Sequence, residues 1–149
     1  MMNKGDCDRL LREFNRNPPA DLSCVQRLQE EAGFRLPDSY VSFLLQADGG
    51  EGFVGDSYVI LDRAEELVQS NAEREVEDYA PGLFIFGSNG GGEAFGFDTR
   101  DSRMSIVCVP FIVLDWDDAL PMGSSFWEFL QILHDGGPFY HTRPDPVAT

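Results

Sequence analysis

The sequence predicts one α+β domain, in which N-terminal helices and later helices pack on a mainly antiparallel or mixed sheet. Three observations favour this class. Apolar residues recur at helical spacing in the first third of the chain, short β-branched and aromatic runs follow, and Gly, Pro or Asp stands at most boundaries. Helices and strands grouped in this way are typical of α+β domains. The 149 residues are 42% hydrophobic, which is enough for a core without disulfide or metal support.

The first third of the chain predicts three helices. Residues 6–16 form the first, which Pro18-Pro19 ends. The second runs from Asp21-Leu22-Ser23 to Gly33. The third begins at Leu36-Pro37-Asp38 and stops before Gly49-Gly50, because Pro is tolerated in the first turn of a helix and Gly just beyond its end.

The next segment predicts two strands, 52–54 and 57–61, followed by one helix from Asp62 to about Asp78. Glu65 follows Asp62 by three residues, as in a capping box, so the Asp62 side chain is expected to accept backbone hydrogen bonds at the start of this helix. The inner face of the helix is expected to comprise Ala64, Leu67, Val68, Ala72, Val76 and Tyr79.

The second half predicts further strands at 83–86, 93–98 and 105–109. Residues 111–114 continue the last strand or pair with it after Pro110. Ser125-x-x-Glu128 is a capping box that opens a final helix. Residues 136–149 are rich in Gly and Pro, so we expect a domain over 1–135 and an irregular tail over 136–149.

The charge excludes some partners. The chain has 26 acidic and 11 basic residues, and Lys4 is its only lysine. Binding to nucleic acid or to anionic membranes requires Lys and Arg, so neither is expected. The N-terminus has no apolar signal region and no window reaches 18 apolar residues, which favours a cytoplasmic protein.

No pattern for a cofactor, a metal or catalysis is recognisable. Cys7, Cys24 and Cys108 lie far apart, which favours neither disulfides nor zinc, and Cys108 is expected to be a buried apolar residue. His134 and His141 belong to no metal motif. The Gly90–Gly92 loop has no following Lys, as a phosphate loop would need, and predicts a tight turn with positive φ angles.

Three segments, in this order and spacing, resemble the SMI1/KNR4 family, also called the SUKH superfamily. The first is Leu36–Leu45 with Asp48-Gly49-Gly50. The second is Leu83-Phe84 through Gly87–Glu93 to Phe95–Asp98. The third is the late apolar run with Asp115–Asp118, before the Ser125–Leu133 helix. The resemblance spans residues 22–134.

The resemblance implies an α+β fold with helices on a sheet and no catalytic residues. The family that the chain resembles includes immunity proteins. These neutralise secreted bacterial toxins, many of them nucleases, by binding them directly. Fungal members are regulators of cell-wall synthesis and signalling. The expected function is therefore that of a non-enzymatic protein that binds a toxin. A regulatory or scaffold domain and a small metal-dependent hydrolase are the alternatives.

The acidic residues indicate where such a partner binds. Residues 1–55 hold nine acids and six bases, whereas residues 56–149 hold 17 acids and five bases. Concentrated acid can complement a basic toxin surface. Trp116 lies among these acids and is either core packing or an interface anchor. The candidate partner-binding residues are Glu66, Glu73, Glu77, Glu93, Asp115, Trp116, Asp117 and Asp118.

The cluster Asp115, Asp117 and Asp118 also raises the possibility of a divalent cation. A calcium loop that began at Asp115 would need Gly at its sixth position and Glu at its twelfth. Leu120 and Phe126 occupy those positions. The sequence therefore favours an acidic loop that faces a partner or solvent over a metal site.

Overall fold

The computed structural model describes residues 4–137, and a seven-stranded antiparallel sheet lies at its centre. Each strand pairs with the next one along the chain, so the sheet is a meander, and the α+β prediction is confirmed. The strands are β1 (Phe14–Arg16), β2 (Gly50–Val54), β3 (Ser57–Leu61), β4 (Leu83–Ser88), β5 (Glu93–Asp98), β6 (Ile106–Pro110) and β7 (Leu120–Pro121). The helices are α1 (Lys4–Leu10), α2 (Leu22–Ala32), α3 (Asp38–Leu44), α4 (Leu67–Glu73), α5 (Val76–Tyr79) and α6 (Phe126–His134).

The main core lies between one face of the sheet and helices α1, α2, α3 and α6. Alternate residues of β4 and β5 point into it, because side chains alternate between the two faces of a strand. The Tyr40 ring of α3 lies 5.4 Å from Phe86, 5.1 Å from Phe97 and 5.3 Å from Phe126 of α6. Edge-on and tilted contacts at these distances add about 0.5–1.5 kcal/mol per pair beyond area burial.

A second, smaller core covers the opposite face of β4, β5 and β6. Leu83 and Ile85 of β4 point into it together with Ala94 and Val109. Val76 and Ala80 cover it from α5 and its C-terminal end, and Leu114 covers it from the segment after β6. Helix α4 is docked beside β4 by Asn71, whose side chain exchanges hydrogen bonds of 2.8 and 2.9 Å with the backbone of Ile85.

The predicted first helix is wrong in its second half. Helix α1 ends at Leu10, and Phe14–Arg16 forms the edge strand β1 instead. Phe14 pairs with Gly52 of β2. A Cβ at Gly52 would lie 2.8 Å from the Glu13 carbonyl oxygen, so the glycine allows the two backbones to approach. Helical spacing is a local signal, and it was overridden here by pairing with a distant strand.

The predicted continuous helix over 62–78 is also wrong. It is divided into a 3₁₀ turn at Ala64–Glu66, then α4 and α5, with Glu75 between them in the left-handed region at φ 54°. The Asp62 side chain does not cap it. The Ala64 N–H donates to the carboxylate of Asp48 at 2.8 Å. Ala72 and Tyr79, expected on the inner face, are exposed. The break at Glu75 explains this for Tyr79, because it changes the direction of the chain before α5.

The expectation that residues 111–114 form a strand is wrong as well. They form a turn closed by the Leu114 N–H, which donates to the Pro110 carbonyl at 2.9 Å. Leu114 has φ 45°. The partner of β6 at the sheet edge is β7, a two-residue strand that the sequence did not reveal. Pro121 in this strand fits an edge position, since Pro cannot donate to a neighbouring strand.

Other local predictions are confirmed. Ser125 caps α6, because its hydroxyl accepts from the Glu128 N–H at 3.1 Å. Helices α2 and α3 lie where the sequence placed them. Gly90 and Gly92 have the positive φ angles expected of their turn, and Cys108 is buried.

The tail predicted over 136–149 lies outside the described residues except for Gly136 and Gly137. The Gly137 N–H donates to the Ile132 carbonyl at 2.9 Å, and its carbonyl accepts from the Ser57 hydroxyl at 2.7 Å. These two bonds hold the end of the described chain against α6 and β3. Between residues 4 and 137, none of the helices has both the length and the apolarity needed to cross a membrane.

Candidate protein-binding site

The structure brings two of the acidic segments together on the second-core side of the sheet. One is 73–78, which spans the end of α4 and most of α5. The other is 115–118, which follows the turn after β6. Both contribute to the second core, through Val76 in the first segment and Trp116 in the other. The two segments are more than 35 residues apart in the chain, so only the fold makes them neighbours.

Trp116 links the 115–118 segment to the turn that follows α5. Its indole N–H donates to the Pro81 carbonyl at 2.8 Å. The Arg100 guanidinium lies over its ring, 3.7 Å from the centroid. Asp98 holds that guanidinium through two hydrogen bonds of 3.0 and 3.1 Å. The half-buried ring packs against the second core, so it supports the surface from beneath.

The acids of the two segments point outward. Glu77 accepts from the Gly82 N–H at 3.1 Å, which fixes α5 to the turn that also receives Trp116. Asp115 accepts from the Asp117 N–H at 2.9 Å and so caps the 3₁₀ turn Trp116–Asp118. The exposed carboxylates are those of Glu73, Glu75, Glu77, Asp78, Asp115, Asp117 and Asp118. Within residues 4–137 none of them lies in an ion pair.

The remaining two candidates lie elsewhere. Glu93 begins β5, pairs in register with Pro110 and accepts a hydrogen bond from the Asn89 amide. It therefore borders the turn after β6, since the Phe111 N–H donates to the carbonyl of Gly92 at 2.8 Å. Glu66 is exposed in the 3₁₀ turn before α4, and no contact among the described residues joins it to the 115–118 segment.

An exposed apolar patch borders the acids, and sequence reasoning missed it. We define it as Tyr79, Phe111, Ile112 and Val113. With Arg74 and Leu114 these residues line a shallow groove of about 350 Å³. Sequence patterns predicted that Tyr79 lies on the inner face of a helix and the other three in a strand. The one local signal was Pro110, the last residue of β6, which stands just before four consecutive apolar residues.

The pKa shifts in this region have simple causes. The hydrogen bonds from Arg100 lower the pKa of Asp98, and Asp98 in turn raises the pKa of Arg100. Burial raises the pKa of Asp62, which lies before the 3₁₀ turn. The Asp98–Arg100 pair also holds the turn after β5, because the Asp98 carboxylate accepts from the Arg100 backbone N–H at 3.0 Å.

Converging ligands for a metal are not found in the described part of the chain. No group of three or more His, Cys, Asp or Glu side chains there is arranged to hold an ion. Asp115 is engaged with the Asp117 backbone, and His134 lies 3.4 Å from the Asp135 carboxylate at the end of α6. His141 lies outside the described residues.

Comparison with known proteins identifies the family. The model of the SMI1 / KNR4 family (SUKH-1) matches residues 19–132, which include α2, α3 and the sheet from β2 to β7. The chain is also similar to Uncharacterized protein YnaB of Bacillus subtilis (strain 168), with 25% identity over 136 residues, 89% of this chain and 90% of that protein. The chain therefore belongs to the SMI1 / KNR4 family (SUKH-1).

Proposed function

We propose that this protein is a non-enzymatic immunity protein that neutralises a bacterial toxin in the cytoplasm by binding it directly. Membership of the SMI1/KNR4 family supports a non-catalytic, immunity-like domain. That this particular chain neutralises a toxin is the part that we propose. It requires a surface that can recognise a partner, and the 73–78 and 115–118 segments are the part of the chain that best supplies one.

The observation that supports this proposal is that two segments with seven exposed carboxylates between them are anchored, through Val76 and Trp116, on the same small core. None of the seven forms an ion pair in the described chain, and seven acids exceed the single base, Arg74, within these segments, so a negative field extends into solvent. A nuclease binds phosphates through basic residues, and such a basic surface would be attracted to these carboxylates. Binding there would cover the substrate-binding surface of the toxin without any chemistry.

The same face is suited to fast binding. Opposite charges on two partners accelerate diffusional encounter, and added salt weakens the effect. The backbone under the acids is fixed by hydrogen bonds from Trp116 and Gly82, so little ordering is required when a partner binds.

A coexpression experiment tests the proposal. The toxin candidate is the product of the gene next to the one that encodes this chain. It is expressed in a heterologous bacterium with this protein and, separately, without it. We expect growth arrest by the toxin alone, growth with both proteins, and a one-to-one complex in size-exclusion chromatography with light scattering.

The outcome that contradicts the proposal is continued arrest with no complex, although both proteins are soluble and folded. A complex with a protein that is not toxic would instead support a regulatory or scaffold domain. The variant Glu31→Lys, on the exposed side of α2, is the matched control, because it alters the net charge without altering the proposed face.

A further inference from the structure

We infer that the Tyr79/Phe111/Ile112/Val113 patch is the anchor point of the complex, and that it accepts an apolar side chain that projects from a basic partner surface. This inference rests on the proposed function as a protein-binding domain and adds the chemistry of the partner. The acids attract the partner, whereas the patch supplies the short-range contact that holds it.

Three of the four patch residues are exposed to an extent unusual for apolar side chains, and Phe111 is half-buried between them and the second core. Ile112 is 95% exposed, Tyr79 is 61% exposed and Val113 is 44% exposed. Single exposed apolar residues are common and need no explanation, but contiguous ones mark binding surfaces. The four patch residues line one groove, so a partner can cover them together.

The patch is held in place from beneath. Leu114, next to Val113, is buried in the second core, and the Phe111 N–H donates to the Gly92 carbonyl. The Arg74 guanidinium lies 4.4 Å from the centroid of the Phe111 ring, which ties the patch to the end of α4. A patch fixed in this way loses little conformational entropy when it binds.

Charge around the patch selects its occupant. Glu73 and Glu75 flank Arg74, Asp78 precedes Tyr79, and Asp115 follows Leu114. Four exposed carboxylates are thus next in the chain to residues that line the groove, against the one guanidinium of Arg74 in its lining, and this excess of acid favours a partner that brings basic groups. A second copy of this chain would place acid against acid, so the charge disfavours a symmetric dimer through this face.

Three ten-residue peptides test the inference with the full-length protein. One alternates Arg with Leu and Trp, the second alternates Arg with Ser, and the third alternates Glu with Leu and Trp. Each is titrated into ¹⁵N-labelled protein. We expect only the first to shift the amide signals of residues 73–79 and 111–115 strongly, with binding that weakens as salt is added.

Two substitutions sharpen the test. Ile112→Asp is expected to weaken binding of the Arg/Leu/Trp peptide at least about tenfold. Leu22→Asp is the matched control, because Leu22 is 56% exposed at the start of α2, where an acid suits the helix dipole. It should leave binding unchanged. Both variants should keep the dispersed amide spectrum of the folded protein.

Several outcomes would overturn the inference. They are equal binding of the Arg/Ser peptide, shifts spread over the whole acidic surface, or no effect of Ile112→Asp. Concentration-dependent dimerisation that Ile112→Asp abolishes would make a second copy the occupant. Toxin neutralisation that survives Ile112→Asp would refute the anchor and leave the proposed function standing. Peptide binding at the patch without toxin neutralisation would support the anchor and contradict the proposed function.

Discussion

The guanidinium of Arg100 lies flat over Trp116, 3.7 Å from the ring centroid, and this contact fixes the acidic 115–118 segment to the sheet. Arg100 can lie there because Gly82 has no side chain. A Cβ at that position would come within 2.6 Å of the Arg100 Cγ atom. The pair therefore links β5, the turn after α5 and the 3₁₀ turn at Trp116–Asp118.

Replacement of Arg100 by Ala should loosen that link. We expect the Trp116 indole N–H, which donates to the Pro81 carbonyl, to exchange with solvent faster once the cation above the ring is lost. Exchange of the indole signal in NMR spectra measures this. Arg103→Ala is the control, because Arg103 pairs with Asp101 as Arg100 pairs with Asp98 but contacts no described aromatic ring. Equal exchange rates in the two variants would refute the link.

Gly49 should be far less tolerant of a side chain than Gly33. Both have a positive φ angle, 74° and 84°, so Ala costs about 1–2 kcal/mol at either position. A Cβ at Gly49 would also lie 2.7 Å from the Asp62 carbonyl oxygen, whereas a Cβ at Gly33 meets nothing within 4 Å. We expect Gly49→Ala to lower the free energy of unfolding, measured in urea, by about 1–3 kcal/mol more than Gly33→Ala does. Similar losses in both variants would contradict this.

The helices with clear end signals could be predicted from the sequence because their signals are local. Gly33 and Ser125 act through their own backbone and the next turn. The expected Asp62 cap of the 62–78 helix was wrong because the Ala64 N–H donates instead to Asp48, sixteen residues away in the chain. A cap from a residue so distant in the chain cannot be predicted from the local sequence.

The candidate site was predictable only in part. The acidic segments could be located by counting charged residues, because formal charge follows directly from residue type. Pro110 signalled the end of a strand but not the exposed patch after it, since the apolar run 111–114 is as typical of a buried strand as of a turn. The turn at Pro110 and the left-handed Leu114 decide between the two, and that backbone geometry depends on packing against the second core.

Stability should depend on pH through Asp62. Burial raises the pKa of its carboxyl in the folded protein, so the folded state holds this proton more tightly than the unfolded state. The resulting contribution to stability is lost as pH rises from about 4 through the folded pKa. Asp62→Asn should therefore be more stable than the parent near pH 7, and the advantage should vanish below about pH 4. Urea unfolding across this range measures it. An advantage that is absent or independent of pH would contradict the assignment.

Charge reversal on the acidic face should slow association with the toxin. Glu73→Lys, Asp117→Lys and Asp118→Lys each replace an exposed carboxylate, so the fold should be retained. Stopped-flow measurements should show lower association rates, with a difference that shrinks as salt is added. Glu31→Lys on α2 carries the same charge change and should associate at nearly the parent rate. If the association rate falls equally in all four variants, the net charge of the protein, and not the position of the acids, determines the rate.

Hydrogen exchange of the toxin complex tests the central claim most directly. Amide exchange is compared between the protein alone and the one-to-one complex, and read by mass spectrometry over the described chain. We predict new protection in residues 73–79 and 111–118, with little change in α1, α2 and β2. Protection confined to those latter elements, with the acidic segments and the apolar patch exchanging as before, would contradict the account.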